Sequence, residues 1–403
     1  MLDALRTGSW LDAARTRRIA GLSLLLVVGT VLFFAATAHG TLDFRGRPLG
    51  SDFSQVYAAG RMVWAGHAAD VWDWPRHFAV QLQVHHAHRL DVYGWHYPPP
   101  FLLVATALAA LPYLAALFTW QAATLGPLLV IANRVTGLKD GWLFVLAAPV
   151  TAICLMHGHN AFLTTLLLGA GLWLLARRPF VAGLLLGCLV YKPQFALILP
   201  PLLLLARKWP AIVGAAVSSL GLVLLTYAIW GWPVWQAFID SLPLTRQVII
   251  EQGRTGWEKI VTPFAAARAL GADIRAAYVV QGIATVSAIG AALWLAWSGR
   301  PALRNAAAIT AAVIATPYAL DYDLVVLLAA MGFLWKDGEA TGWLPWEKTL
   351  LAFVWVAPLF GRSVAAATQF PLGLAASVTI LALAVRRGLR ASPSRHSRAG
   401  SGQ

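Results

Sequence analysis

The chain has 403 residues, 59% of them hydrophobic and 12% charged, with a mean hydropathy of +0.66 and a net charge of +14. Soluble domains run at roughly 45–50% apolar residues, so the composition argues against a water-soluble class, and the lack of ten-residue polar–apolar alternation argues against an outer-membrane barrel. The basic excess is no nucleic-acid footprint, because Lys and Arg sit in short loops between apolar runs and in two tails, the distribution that orients a membrane protein.

A tail of residues 1–18, with Arg15, Arg17 and Arg18, precedes an apolar run from about 19 to 38. About twenty residues suffice to cross the hydrocarbon core. No small-x-small cleavage site precedes a soluble region, so this run reads as a retained first span and not as a signal peptide. Further runs lie near 113–132, 141–156, 160–176, 180–191, 194–206, 210–230, 276–297, 305–317, 323–335, 349–360 and 372–385, about twelve spans in all. The expected fold class is therefore an all-α polytopic bundle, a single membrane domain over 19–386, closed by a polar tail over 387–403 that ends ASPSRHSRAGSGQ. With both tails cytoplasmic, nineteen of the 31 Lys and Arg fall inside against six of the 17 Asp and Glu. That bias fixes the orientation.

The apolar stretch from Pro98 to Leu111 would invert every later loop if it crossed fully. It is expected to be a short Pro-bounded helix dipping into the outer leaflet, or the first part of a bent second span. Spans of 12 to 14 residues fit only where neighbours shield them or where they end at a water-filled cavity. Two long outer segments, 39–97 and 231–275, follow spans one and seven. Their Trp, Pro, His and paired charges predict interfacial amphipathic helices. Cys154 and Cys188 lie in apolar runs without metal-type spacing and read as packing residues.

The residues that break the apolar pattern gather at outer junctions. In SDFSQVYAAGRMVWAG, Asp52 opens a helix. It either caps the first-turn amides or stands free as a general base. Tyr57 and Arg61, four residues apart, share a face, where Arg61 could serve a pocket or meet a lipid phosphate. The same loop holds seven of the ten histidines, including His85, His86 and His88. A metal site needs three or four converging ligands, and only His85 and His88 would share a helical face, so no metal is assigned although a divalent ion is not excluded. GWHYPPPFLL then places Trp95, His96 and Tyr97 at headgroup level.

His157, His159 and Asn160 form a polar group between two spans, with helix capping by Asn160 as the plain alternative to a pocket role. Lys192, followed by Pro193 and Gln194, emerges where outer positive charge is sparse. It either snorkels or binds an anion such as a phosphate. TPYALDYDL sets Tyr318, Asp321, Tyr322 and Asp323 at another outer junction, able to cap a helix, hold a divalent ion or bind a sugar. No Walker A or dinucleotide glycine pattern occurs, so no nucleotide cofactor is expected.

The order SDFSQVYAAGRMVWAG, YPPPFLL, HGHNAFLTTLLL, AGLLLGCLVYKPQFALILPPLLLL and TPYALDYDL, across roughly residues 50–335, resembles glycosyltransferase family 87. These are polyprenol-phosphate-mannose-dependent mannosyltransferases with a GT-C fold and long outer loops after spans one and seven. The resemblance implies transfer of a hexose, typically mannose, from a polyprenyl-phosphate donor to a lipid or glycan acceptor, with inversion, on the outer face of a bacterial inner membrane. Asp52 would be the general base. Lys192 would hold the donor phosphate, with Arg61 beside it. Tyr57, Tyr97, His157, His159, Asn160, Gln194, Tyr318, Asp321 and Asp323 would contact sugar or acceptor. The chain has His159 and Asn160 where members commonly show Gly-Gln, and Tyr318 and Leu320 where His or Trp is frequent.

A transporter or flippase of lipid-linked glycans is the rival expectation, and a non-catalytic assembly protein the third. Transporters more often place charges or broken helices near the midplane, whereas these outliers collect at outer ends.

Overall fold

The computed structural model describes residues 1–297 and 300–390; the end of the expected polar tail, residues 391–403, lies outside them. The described residues are helical throughout, with only isolated bridges and no strand. Six helices are long and apolar enough to cross a membrane: Ala13–Ala36, Tyr113–Thr136, Trp209–Glu251, Ile274–Trp297, Glu347–Thr368 and Leu372–Arg390. Four shorter apolar helical segments stand among them: Ala161–Leu174, Pro179–Tyr191, Pro193–Leu205 and Pro301–Ile314.

The expected spans over 141–156 and 180–191 are interrupted where proline removes an amide and clashes with the preceding turn, whereas the one over 323–335 is carried by an unbroken helix, Val326–Thr341. The 141–156 run divides into Gly141–Leu146 and Pro149–His157, with extended Ala148 before Pro149. The 180–191 run tightens into a 3-10 turn, Cys188–Tyr191, and stops at Lys192, whose φ of −139° and ψ of 65° are set by Pro193. Short helices persist here because they are sheathed. Twelve of the fourteen residues of Pro301–Ile314 are buried, so its backbone ends meet protein rather than lipid.

The segment after the first span differs from the interfacial expectation. It folds into Ser51–Trp64, a 3-10 turn Ala68–Trp72 and Trp74–His85, and the first of these is buried along most of its length. Its Gly60 touches the next helix, Pro100–Leu108, so closely that a Cβ would stand 2.1 Å from the Ala105 carbonyl oxygen. Pro98–Leu111 is thus an internal helix of nine residues, ended before Pro112. In the later long segment, the helix that begins at Trp209 bends at Gly231 (φ 72°) and continues to Thr245 before a π-turn, Arg246–Glu251.

The bundle has two distinct ends. Pro301–Ile314 runs from Arg300 to the TPYALDYDL turn, roughly 20 Å at 1.5 Å per residue. At the Arg300 end, Arg387 donates to Asp337 at 2.7 Å and to Glu347 at 2.8 Å, while Arg300 takes the same Asp337. Arg17 pairs with Asp140, and the Leu2–Thr7 helix is tied down through Leu5 and Thr349. The charges there are paired into a clamp between helices.

Candidate active site

The other end is built around the first turn of Ser51–Trp64. Gly50 takes the cap position in a left-handed conformation (φ 69°), with the Tyr113 hydroxyl donating to the carbonyls of Leu49 and Gly50. The capping role considered for Asp52 is therefore not realised. Asp52 sits two residues further on, half-buried, with its carboxylate uncommitted to the helix amides. Gly158, also left-handed at φ 61°, packs on this turn: a Cβ would lie 2.7 Å from the Phe53 Cβ and 3.2 Å from the Gly50 Cα. Two glycines in contact bring His157 and His159 up to Asp52.

Burial raises the Asp52 carboxyl above its ordinary value, and the nearby His157, the Tyr322 hydroxyl and the Arg362 guanidinium oppose that rise without cancelling it. Its buried Oδ2 has no partner in hydrogen-bonding geometry. His157 Nδ1 donates to the Ile153 carbonyl at 2.8 Å, which leaves Nε2 facing Arg362 Nη2 at 3.3 Å. Arg362 forks onto Asp321, through Nε to Oδ2 and through Nη2 to Oδ1 at 3.0 Å.

Beside this pair runs a second. Lys192 Nζ donates to Asp323 Oδ1 at 2.6 Å and to Asn160 Oδ1 at 3.3 Å, over the Phe195 ring. Lys192 is 3% exposed, so it does not snorkel. Asn160 stands at the cap of Ala161–Leu174 but makes no side-chain cap bond, since its oxygen faces Lys192. Asp323 takes the capping role considered for it, accepting the Leu320 amide at 3.0 Å, and also holds Lys192, a pairing the sequence did not announce.

His159 joins the two pairs. It stacks on Tyr322 at 3.8 Å, and its Nε2 meets the Tyr97 hydroxyl at 3.3 Å. Burial, then Lys192 and His157, hold its pKa well below the ordinary range, so it is a neutral ring. Its 3.9 Å approach to Asp323 is accordingly not an ion pair. Tyr318 is half-buried on the same turn, which Val261 fastens by donating to the Ala319 carbonyl at 2.9 Å. Asp52, Tyr97, His157, His159, Asn160, Lys192, Tyr318, Asp321 and Asp323 therefore share one polar cluster, drawn from five separate parts of the chain.

Tyr57 and Arg61 are not part of it. Arg61 is nine residues from Asp52, half a turn round the helix at about 100° per residue. Arg61 and Tyr57 instead line a cavity of about 810 Å³ with Asp70 and Arg76, and the Tyr57 hydroxyl donates to the Leu111 carbonyl. Gln194 is half-buried on the Pro193–Ala196 turn. Three of the seven histidines of the first loop are hydrogen-bonding struts: His85 bridges Thr41 and Ser54, His77 reaches the Gln55 carbonyl, and His96 reaches Thr245. The helix stops at His85, so His85 and His88 share no face. Among the described residues no three His, Cys, Asp or Glu side chains converge as metal ligands do.

Arg362 is the member that sequence reasoning did not single out. It is a cation well inside the apolar Glu347–Thr368 helix, whose other basic residue, Lys348, lies in the first turn, and that is the same signal that marks Lys192.

Comparison with curated proteins and with solved structures finds no match. Residues 95–320, more than half of the chain, match the sequence pattern of glycosyltransferase family 87. That stretch carries Tyr97, His157, His159, Asn160, Lys192 and Tyr318, while Asp52, Asp321, Asp323 and Arg362 come from its flanks. Its apolar helices and this match together make the chain a membrane glycosyltransferase belonging to glycosyltransferase family 87.

Proposed function

We propose that the protein transfers a hexose, mannose in the first instance, from a polyprenyl-phosphate carrier to a hydroxyl of a lipid or glycan acceptor, with inversion. Asp52 takes the acceptor proton as the hydroxyl oxygen bonds to C1. The C1–O bond to phosphate breaks, its electron pair leaving on the polyprenyl phosphate. Lys192, with Asn160 beside it, steadies the charge that grows there. His159, Tyr97 and Tyr318 offer rings and hydroxyls to the sugar. The donor already carries an activated sugar–phosphate bond, so no nucleotide site is required.

The observation that carries this reading is Asp52 itself. It is an acid released from capping, with a partnerless buried oxygen, in the same cluster as two acid–cation pairs. A base must be free to accept a proton, and a structural carboxylate is not. The twelve-crossing topology, with cytoplasmic termini and the site on the outer face of a bacterial inner membrane, belongs to the same proposal. It is supported by the separation of the Arg-rich end from the Asp52 end.

The test is transfer by the full chain in proteoliposomes supplied with polyprenyl-phosphate mannose and extracted envelope lipids. Mannosylated product that disappears with Asp52→Asn is expected. Movement of the donor across the bilayer without product would instead favour the transporter reading.

A further inference from the structure

The two cations of the cluster are not equivalent. Lys192 and Asp323 are both enclosed, with side chains 4% and 3% exposed, and Lys192 spends its shortest bond on that acid. Arg362 is 36% exposed although its partner Asp321 is only 5% exposed. A guanidinium carries five N–H donors. Arg362 uses Nε and Nη2 on Asp321 and His157, and Nη1 makes no hydrogen bond among the described residues. Its planar fork thus has one side fixed by a buried acid, keeps a donor nitrogen uncommitted on a partly exposed side chain, and lies close enough to Asp52 to act on its charge.

We infer that Arg362 is a phosphate-binding residue of this site, holding the phosphate of the prenyl-phosphate donor while Asp321 fixes the direction of its fork. The inference rests on the glycosyltransfer proposed above. Charge counting supports it. Without Arg362, Asp52, Asp321 and Asp323 would face Lys192 alone, an excess of two negative charges that repels an anionic donor. With Arg362 the excess falls to one. A guanidinium also suits a phosphate bidentately, which an ammonium cannot. As the C1–O bond breaks, the phosphate gains a second negative charge, and the uncommitted Nη1 donors can meet it while Nε and Nη2 stay on Asp321.

The experiment measures binding of a short-chain prenyl phosphate to detergent-purified full-length protein by calorimetry, alongside donor kcat and KM. Arg362→Gln alone strands Asp321 and can unfold the chain, so the informative variants are Asp321→Asn and the double Arg362→Gln/Asp321→Asn, which leaves neither charge unpaired. Asp321→Asn frees the fork and is expected to keep or tighten phosphate binding. The double variant should melt like wild type yet bind roughly 10- to 100-fold more weakly, the size of one or two charge-assisted bonds. Affinity within twofold of wild type in the double variant, no binding by the wild type, or equal loss in Asp321→Asn overturns the assignment. Weakened phosphate binding in a protein that transfers no sugar would sink the proposed reaction and leave Arg362 a phosphate ligand. Normal transfer with unaltered phosphate affinity in the double variant would do the reverse.

Discussion

Asp52→Asn should cost activity and add stability, a combination that a structural role cannot produce. The amide has nearly the volume of the carboxylate, so the local packing is retained. What changes is the charge. Burial holds the Asp52 carboxyl above its ordinary 3.8, so between that value and its folded-state pKa the folded chain binds more protons than the unfolded one. Stability then falls as pH rises through that window, and the penalty is complete above it. One buried oxygen without a partner sets the scale at about 1–3 kcal/mol. Thermal melts of both proteins in one detergent from pH 4 to pH 8 should show the Asn variant gaining on wild type as pH rises. Transfer should drop roughly 10²- to 10⁴-fold, the range for loss of a general base. Wild-type turnover should fade on acidification at a pH above the usual carboxylate range. An Asn variant that is less stable at pH 8 than wild type, or that keeps most of its turnover, refutes the uncommitted-base reading.

Lys192→Met should destabilise the fold by about 3–5 kcal/mol, because it strands buried Asp323. Adding Asp323→Asn should restore the melting temperature without restoring transfer. Gly158→Ala forces a side chain into a left-handed position against Phe53, and should lower both the melting temperature, by about 1–2 kcal/mol of strain, and kcat through displacement of His157. For orientation, an alkaline-phosphatase fusion after Gly66 should be active and one after Arg178 inactive; the opposite pattern reverses the outer and inner faces.

Polarity of the sequence made most of the site legible before any geometry. Asp52, His159, Asn160, Lys192 and Asp323 each interrupt an apolar run, and nothing but a shared pocket satisfies so many polar groups at one end of a bundle. Their pairing was not legible. That Lys192 would meet Asp323 across 131 positions depends on how the Pro179–Tyr191 and Pro301–Ile314 segments pack, which hydropathy does not encode. Arg61 shows the reverse failure. It lies in the same motif as Asp52, but helical phase turns it to the other flank. Span counting meets a related limit. Hydropathy registers apolar length, whereas Pro149 and Pro193 divide that length into pieces that only burial makes tenable.

The arrangement of charges also bears on the proposed reaction. Lys192 with Asp323 and Arg362 with Asp321 are each neutral pairs, so the residual negative charge among these acids and cations belongs to Asp52. In the proposed step Asp52 takes the acceptor's proton, that charge vanishes, and an equal charge arises on the departing phosphate. The total within the low-dielectric pocket is unchanged while its position moves across the sugar. A site that begins with its excess on the base and its cations tethered by buried acids therefore favours the product side of the displacement without any net charge being created in the bilayer. Neutral replacement of either pair leaves the total intact but removes the field that draws the charge across, so its cost should fall on kcat more heavily than on binding of the acceptor.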